Sequence, residues 1–396
     1  MIPRRLSFSC QRAAPFVRLA RVLGFLVVPP LFGSFAAPQS DSADPAVIVG
    51  VNVVGVAQAS EKKRDALLDQ LQRYGVKTIR TALGGHNEGY TTFIIKASQR
   101  GIGSVVFIGP SQGGANKHAL PADKSFGRRW PLPVLSDADP EEFRKWFTDE
   151  LATLEAAGVR ATAFELGNEL NLSYWNGDFL PQKLSPGILR LTDLENPHDS
   201  EEKNVATGYR AYIKVLGVLK DLRDHSKLNR TTPILSGMSA GPLTGYHGVP
   251  ILDSVEFLRR NGLDTLVDGY AVHYYPDASP RLPVSARVQL IEKDGELSAC
   301  GPGSKPCWIT EWGFPNGSQS CPINDAMRAR VVQDERTAFK KFADQRRVAA
   351  IIYYSWSGGL PFFWEDPNKE SEDNDPKAIF RCGALTDAGE AALDPM

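Results

Sequence analysis

Short apolar segments rich in β-branched residues recur eight times along this chain, and a helical pattern follows each of them. Segments that are apolar throughout are typical of strands buried on both faces of a parallel sheet. Eight strand–helix units close most economically into a barrel. The predicted fold class is therefore α/β, a single-domain (β/α)8 TIM barrel, and a doubly wound open sheet is the alternative.

The predicted strands share this composition and are, in order, Ala46–Val56, Lys77–Leu83, Ser104–Pro110, Ala161–Leu170, Thr232–Met238, Val267–Pro276, Cys307–Phe314 and Val348–Trp356. Helix signals fall between them. Ser60 is placed to cap the first helix, and Asp139 with Pro140 opens the helix after the third strand. A further helix is predicted around residues 206–222. The eighth helix is the weakest, because only Asp387–Leu393 continues the pattern.

Residues 1–37 are typical of a secretory signal. Five arginines and no acidic residue precede the apolar stretch Val22–Ala37, which ends in small residues. A transmembrane anchor is the less favoured alternative, because two prolines interrupt the stretch and about 20 residues are needed to span a bilayer. The predicted organisation is a signal over 1–37, a linker over 38–45 and a catalytic barrel over 46–396, in a secreted or periplasmic protein without membrane insertion once the signal is cleaved.

Removing this signal changes the charge balance of the chain. It takes five arginines from the 45 basic residues, which leaves 40 against 46 acidic ones. No basic stripe remains that could neutralise phosphates, so no nucleic-acid partner is expected. No HExxH, P-loop or complete dinucleotide fingerprint occurs either, and the sequence therefore implies no cofactor and no metal.

Four cysteines follow the signal, namely Cys300, Cys307, Cys321 and Cys382. Four cysteines permit three pairings. Cys300 and Cys307 bracket a short turn, which favours a local bridge between them and a second bridge from Cys321 to Cys382. Their spacing is not that of a zinc site, and exported chains use cysteines mainly as covalent staples.

Polar and aromatic side chains stand at the ends of the predicted strands. In a (β/α)8 barrel the carboxyl ends of the strands form the active site. Taken singly, each residue has a structural explanation, such as an ion pair for Arg80 or core packing for Trp356. Their common position at one end of one barrel instead predicts a functional site that contains Asn52, Arg80, Asn168, Glu169, His273, Tyr275, Glu311, Trp312 and Trp356.

Two of these residues, Glu169 and Glu311, are expected to face each other across the barrel mouth. Glycoside hydrolysis with retention requires one carboxyl group that protonates the departing oxygen and another, about 5 to 5.5 Å away, that attacks the anomeric carbon. Repulsion keeps one proton in such a pair. Arg80 and Tyr275 are candidate donors to Glu311, which predicts an ionised Glu311 as nucleophile and a protonated Glu169 as acid.

Three motifs carry a family resemblance: GNE at Gly167–Glu169, ITEWG at Ile309–Gly313 and HYY at His273–Tyr275. They resemble the motifs of the clan A retaining glycoside hydrolases, with similarity to glycoside hydrolase families five, thirty-nine and seventy-nine. Many clan members have proline where Leu170 stands, and the family is left unresolved.

The resemblance implies a carbohydrate substrate, with a β-linked glycan or glycoside cleaved by double displacement. It implies Glu169 as acid/base, Glu311 as nucleophile and Asn168 as donor to the sugar 2-hydroxyl. Arg80, His273 and Tyr275 would surround the nucleophile. Trp356 would form the platform under the sugar, since aromatic faces stack on apolar C–H groups. Trp175, in the loop beyond Glu169, could extend this platform, although surface packing is an equal alternative.

Other functions remain open at this stage. Gly237–Gly241 matches G-x-S-x-G, which would make Ser239 the nucleophile of an esterase, although that motif needs a helix directly after the serine. A barrel that binds carbohydrate without cleaving it is a second alternative, since fold alone does not prove activity. A transglycosylase would share the covalent intermediate of a hydrolase. The sugar, its linkage, exo or endo action and the oligomeric state are not specified by the sequence.

Overall fold

Eight parallel strands close into a barrel in which each strand pairs with the next along the chain and the last pairs with the first. The computed structural model describes residues 46–57, 59–84, 88–112, 119–121, 132–180, 187–241, 247–276, 278–294, 297–301, 304–316, 321–357 and 375–396, apart from the side chains of residues 238–241 and 294. The barrel strands are β1 (Ile48–Asn52), β2 (Thr78–Leu83), β3 (Gly103–Ile108), β4 (Ala163–Leu166), β5 (Ile234–Gly241), β6 (Gly269–Tyr274), β7 (Cys307–Trp312) and β8 (Val348–Tyr353). The predicted (β/α)8 barrel is confirmed, and closure excludes the open sheet.

Helices connect successive strands and cover the outside of the barrel. In the described part of the chain they are α1 (Glu61–Arg73), α2 (Glu88–Gln99), α3 (Pro140–Ala156), α4 (Leu191–Glu195), α5 (Ser200–His225), α6 (Ile251–Arg260), α7 (Val284–Asp294), α8 (Ala326–Ala343) and α9 (Asp387–Leu393). The predicted caps are confirmed: Ser60 accepts a hydrogen bond from the Lys63 amide, and Asp139 accepts from the amides of Glu141 and Glu142. Both caps satisfy amides that the first helical turn leaves unpaired.

The core has two parts, which the barrel wall separates. A small apolar cluster fills the barrel towards the amino ends of the strands and consists of Val105, Ala163, Leu235, Ala271, Trp308, Ala350 and Ile352. A much larger cluster lies between the strands and the helices and includes Phe164 and Leu166 of β4. Alternate side chains of one strand therefore pack into the barrel interior and against the helices.

The C-terminal segment is fastened to the body of the barrel. It forms a hairpin of β9 (Phe380–Arg381) and β10 (Ala384–Leu385) before α9. Both predicted disulfides are present, with Cα–Cα distances of 5.7 Å for Cys300–Cys307 and 5.8 Å for Cys321–Cys382. The second bridge joins this hairpin to the loop before α8.

Among the described residues, no helix has both the length and the apolar character that crossing a membrane requires. The predicted signal and linker, residues 1–45, lie outside the described residues.

Candidate active site

A polar layer lies at the carboxyl end of the barrel interior, beyond the apolar cluster. Side chains alternate along a strand, so Glu165 and His273 face inward two residues beyond Ala163 and Ala271. Their exposed fractions are 0% and 2%. Ionisable groups withdrawn from water in this way need charged or hydrogen-bonding partners, and the neighbouring strands provide them.

Arg80 of β2 is hydrogen-bonded to most of the polar side chains in this layer. Its Nε and Nη2 donate to the two oxygens of Glu165 at 2.6 and 2.9 Å, and its Nη1 donates to Glu311 Oε1 at 2.6 Å. Asn168 Oδ1 accepts from Nη2 at 2.9 Å, and Asn52 Oδ1 accepts from Nη1 at 3.0 Å. Burial lowers the pKa of Arg80, but the two carboxylates outweigh burial and raise it, so the guanidinium stays charged.

Asn52 braces Arg80 at the base of the site. Its Nδ2 donates to the Thr310 carbonyl at 2.8 Å, while its Oδ1 accepts from Arg80. Both ends of the amide are thus engaged within the protein, and the side chain is 1% exposed. The predicted substrate contact of Asn52 stays a prediction: the side chain holds Arg80, and the residue also lines the cleft above these groups.

Both oxygens of Glu311 accept strong hydrogen bonds. Oε1 accepts from Arg80, and Oε2 accepts from the Tyr275 hydroxyl at 2.6 Å. Burial and the charge of Glu311 raise the pKa of Tyr275, so this hydroxyl keeps its proton and donates it. Both donors predicted for Glu311 contact it, and His273 Nδ1 also lies 3.5 Å from its Oε2.

Glu169 follows β4 at a sharp backbone turn. Gly167 has φ of 93° and Glu169 has φ of 51°, both in the left-handed region. The turn brings Glu169 Oε1 to 2.8 Å from His273 Nδ1, and Oε2 accepts from Trp175 Nε1 at 2.6 Å. Burial raises the pKa of Glu169, but the contacts with His273 and Trp175 outweigh burial and lower it.

His273 lies beside both catalytic candidates: its Nδ1 is 2.8 Å from Glu169 Oε1 and 3.5 Å from Glu311 Oε2. Burial lowers its pKa, but Glu311 and the contacts with Glu165 and Glu169 raise the pKa to about 9. This direction favours a protonated imidazole that donates from Nδ1 to Glu169. Arg80 Nη2, 3.3 Å from Nε2, instead suits a neutral ring that accepts at Nε2. The prediction that Glu169 holds the proton of the carboxylate pair stays a prediction, and His273 is the neighbour that can share this proton.

A cleft of about 350 Å³ opens above these groups. The catalytic candidates Glu169 and Glu311 line it together with Arg80 and Asn168. Its walls are largely apolar and aromatic and include Val53, Tyr90, Phe107, Pro133, Trp175 and Tyr354. Trp175 thus lies in the cleft, where it also holds Glu169.

The aromatic platform predicted at Trp356 is replaced by Tyr354, two positions earlier in the chain. Trp356 is 1% exposed and stacks on Phe380, with ring centroids 5.3 Å apart and an interplanar angle of 11°. It also packs against Tyr74 of the helix layer. Because β8 ends at Tyr353, Tyr354 rather than Trp356 is the aromatic residue that lines the cleft from the end of this strand.

Trp312 was predicted to face the substrate and instead faces the helices. It is 0% exposed and packs edge-on against Phe339 of α8 and Tyr353 of β8, with centroids 5.2 and 4.9 Å away. The pairing of β7 with β8 shifts register between Ile309 and Trp312. Such irregularities re-aim side chains, and here Glu311 points into the site while Trp312 points away from it.

Glu165 belongs to the site, although its position in the middle of a predicted strand did not single it out. A signal was present in the sequence, because Glu165 is an acid within an otherwise apolar run. A buried charge of that kind requires a partner. Arg80, which faces the barrel interior from β2, is that partner.

The G-x-S-x-G match does not form a nucleophile elbow. Gly237–Gly241 continues β5, and Ser239 pairs in register with Val272 of β6. The elbow requires a turn directly into a helix, whereas α6 begins at Ile251. The esterase alternative is therefore rejected.

Glu169, His273 and Glu311 offer ligand-type atoms that all lie within 4.8 Å of one another. A metal ion at this point would have to displace the proton between His273 and Glu169 and the hydroxyl that binds Glu311. Arg80 already supplies positive charge to Glu311. The contacts favour proton transfer among these groups over metal coordination.

No family model and no curated protein matches the chain. Solved structures with a similar fold include a hyperthermostable endo-1,4-β-D-mannanase from Thermotoga petrophila RKU-1, at 14% identity and a TM-score of 0.53, over 88% of this chain and 98% of that one. A fungal β-1,4-galactanase matches at 13% identity and a TM-score of 0.50, over 87% of this chain and 99% of that one.

An exo-β-1,4-mannosidase from Opitutaceae bacterium strain TAV5 also matches, at 13% identity and a TM-score of 0.51, over 88% of this chain and 58% of that one. Likeness at such identities shows the fold. The chain has the closed eight-stranded parallel barrel fold of these solved structures, so the fold that the resemblance implied is confirmed, and no family is resolved.

Proposed function

We propose that the protein is a retaining glycoside hydrolase that cleaves β-linked glycans or glycosides, with Glu311 as nucleophile and Glu169 as acid/base. One observation carries this proposal: an oxygen of Glu169 and an oxygen of Glu311 lie within 4.8 Å of each other at the cleft. Retaining enzymes place their two carboxyl groups about 5 to 5.5 Å apart, whereas inverting enzymes leave about 6.5 to 9.5 Å for a water molecule.

The contacts of Glu311 suit a nucleophile. Arg80 and Tyr275 each donate to one of its oxygens at 2.6 Å, which fixes the orientation of the carboxylate at the cleft. The attacking oxygen forms a bond to the anomeric carbon as the bond to the leaving oxygen breaks. The glycosyl-enzyme ester that results is neutral at Glu311.

The pair of Glu169 and His273 suits the acid/base role. It holds one proton, which passes through Glu169 to the leaving oxygen in the first step. His273 and Glu169 are then left as a neutral imidazole and a carboxylate. In the second step this carboxylate accepts a proton from water, whose oxygen attacks the anomeric carbon, and free Glu311 and the starting proton are regenerated.

Two side chains suit sugar binding. Asn168 accepts from Arg80 through Oδ1, which leaves its Nδ2 group to donate to a sugar 2-hydroxyl. Tyr354 lines the cleft beside Glu311 and offers an aromatic face, the role first predicted for Trp356. The mannanase, the galactanase and the mannosidase with a similar fold are β-1,4 enzymes, which supports β-linked substrates here.

The location that fits this function is outside the cytoplasm. The two disulfides support an oxidising compartment, since such bonds persist in secreted and periplasmic proteins. Export through the signal predicted over residues 1–37 is a proposal based on the sequence alone. A transglycosylase would use the same contacts and differ only in whether a sugar or water attacks the ester.

The first prediction concerns the two carboxylates, assayed with a panel of aryl β-glycosides. Glu169→Ala should lower turnover by about 10²- to 10⁴-fold, the usual contribution of general acid–base catalysis. Added azide should restore it and yield the β-glycosyl azide, because the nucleophile is intact. Glu311→Ala should abolish turnover, and azide should then yield only the inverted α-glycosyl azide.

Glu335→Gln serves as the matched control, because Glu335 is a buried, arginine-paired carboxylate between α7 and α8, away from the cleft. Its turnover should stay near wild type. Wild-type rates in both active-site variants would refute the proposal, and binding of glycans without any cleavage would favour the non-enzymatic barrel.

A further inference from the structure

A third carboxylate, Glu165, lies beneath the two proposed catalytic ones and has no reaction step assigned to it. It is 0% exposed and lies two residues beyond the apolar floor of the barrel. Its oxygens accept from Arg80 Nε and Nη2, and Oε1 also accepts from the Thr310 hydroxyl at 3.2 Å. No substrate atom can reach it without first displacing Arg80.

The bidentate contact fixes the direction of the guanidinium. Arginine presents its N–H groups in a rigid planar fork. With Nε and Nη2 held on Glu165, the remaining Nη1 is directed at Glu311 Oε1, 2.6 Å away. The same contact leaves Nη2 directed at Asn168 Oδ1. Glu165 thus orients Arg80 towards Glu311 and Asn168 at the cleft.

Glu165 also acts on the acid/base pair through His273. Glu165 Oε1 lies 3.8 Å from His273 Nε2, on the side of the ring opposite to the Nδ1 contact with Glu169. Four charged groups face this imidazole: Arg80 from β2, Glu165 from β4, Glu169 from the turn after β4, and Glu311 from β7. The negative charge of Glu165 offsets Arg80 and favours a proton on the ring.

We propose that Glu165 is a positioning residue for the glycosidase reaction proposed above, which aims Arg80 at the nucleophile and keeps the shared proton on the pair of His273 and Glu169. It acts through both cations and touches neither substrate nor the reacting atoms. This role rests on the proposed function, but its electrostatic half can be measured without turnover.

The kinetic test uses Glu165→Gln, which keeps the shape of the side chain and removes its charge. We expect kcat to fall by about 10- to 100-fold, the usual loss when a supporting contact of a site is removed, while KM changes little because Glu165 does not reach the cleft. Loss of a negative charge lowers the pKa of every neighbouring group. Both limbs of the pH–rate profile should therefore move to lower pH.

Glu335→Gln is again the control, because it removes an equally buried, arginine-paired carboxylate elsewhere. It should leave the kcat and the pH profile of the wild type in place. A Glu165→Gln enzyme with wild-type kcat, or with reduced kcat and an unshifted pH profile, would reduce Glu165 to a structural ion pair and overturn the proposal.

A second measurement separates this proposal from the proposed function. The ring pKa of His273 is titrated by NMR in histidine-labelled protein, with its signal assigned from a His273→Asn variant. In the wild type it should lie near 9, and in Glu165→Gln it should fall clearly below the wild-type value. These results would stand even if the wild type cleaved no glycoside.

A wild-type value at or below 6.5, the ordinary value of an imidazole, would overturn the electrostatic role, as would equal values in the two proteins. If Glu165→Gln does not fold, a wild-type value at or below 6.5 still overturns the electrostatic role.

Discussion

Glu169 has a backbone conformation that non-glycine residues rarely adopt, and the proposed chemistry explains why it persists. Its φ of 51° and the φ of 93° at Gly167 turn the chain away from the line of β4. Left-handed backbone at a non-glycine residue costs about 1 to 3 kcal/mol, and such residues cluster at functional sites. Here the turn places the carboxylate between His273 and Trp175.

Trp175 offers a test of how Glu169 is tuned. In Trp175→Phe the donor to Glu169 Oε2, now 2.6 Å away, is lost while the aromatic wall remains. A donor to the ionised form lowers a carboxyl pKa, so its loss raises the pKa of Glu169. The limb of the kcat/KM profile that reports this group should move up by about one pH unit, the equivalent of about 1.4 kcal/mol.

Trp146→Phe is the control for that measurement, since Trp146 packs on Phe143 and Phe147 in α3, outside the site. Its pH profile should match the wild type. An unshifted limb in Trp175→Phe would show that the indole only packs against Glu169.

At the scale of single residues, the sequence predicted ionisable groups better than aromatic ones. Glu169, Glu311 and Arg80 were identified because a charged side chain beside a buried strand requires charged or hydrogen-bonding partners. Trp312 and Trp356 were misplaced because large aromatic residues suit a core and a sugar platform equally well. Only the register shift in β7 and the end of β8 at Tyr353 decide between these positions.

At the scale of elements, hydrophobic periodicity and capping residues located most strands and helices. The predicted boundaries were wrong where a capping residue or a disulfide, and not periodicity, fixes the element. The helix predicted around 206–222 extends over Ser200–His225, because Asp199 and Glu202 form a capping box ahead of the apolar pattern. The short β9–β10 hairpin was not predicted. Its two-residue strands are too short to show periodicity, and the bridge from Cys321 to Cys382 helps to hold them.

That bridge supports a prediction of stability. Cys321 and Cys382 are exposed and 61 residues apart, so replacing both with serine removes a cross-link without opening the core. Closing a loop of this length in the unfolded chain stabilises the folded state by about 4 kcal/mol. Cys321→Ser with Cys382→Ser should lose about that amount in denaturant unfolding under non-reducing conditions.

Mild reduction of the wild type supplies the comparison, because the Cys300–Cys307 bridge is buried and less accessible. Reduction of the exposed bridge alone should reproduce the loss. A change below about 1 kcal/mol in both experiments would mean that the hairpin holds its place without the cross-link.

At the scale of the whole molecule, the count of eight strand–helix units was sufficient to predict the closed barrel. Closure is a global property that each unit supports in the same way, so errors of a few residues at strand ends do not alter it. The walls of the cleft were not predictable in this way. They come from loops after several strands, and loop conformation depends on contacts that no local pattern encodes.

Buried ionisable groups across the molecule predict an acidic optimum of stability. Arg80 overcomes burial to hold the pKa of Glu165 at about 2, so its contribution is complete above 4.5 and is lost as pH falls towards 2. The pKa of His273 is raised to about 9, so its contribution is complete below 6.5 and is lost as pH rises towards 9. Burial raises the pKa of Asp178 to about 6 and of Glu335 to about 7, and their contributions also decline above about pH 4 to 4.5.

The signs therefore place maximal stability in a window around pH 4.5. Thermal unfolding followed across pH 3 to 9 should show the highest Tm in that window. In Glu335→Gln the fall in Tm from pH 5 to pH 7 should be smaller than in the wild type. A Tm that keeps rising up to pH 8 would contradict the assigned pKa directions.

The turn at Gly167 has a consequence for protein engineering. Four residues along an extended strand span about 13 Å, yet Glu165 and Glu169 both reach the ring of His273, with Glu165 3.8 Å from Nε2 and Glu169 2.8 Å from Nδ1. Gly237 of the adjacent strand permits this path, because a side chain there would meet the Gly167 carbonyl oxygen. A designer who transplants the site to another barrel has to move the five residues from Glu165 to Glu169 as one piece, together with a glycine on the neighbouring strand.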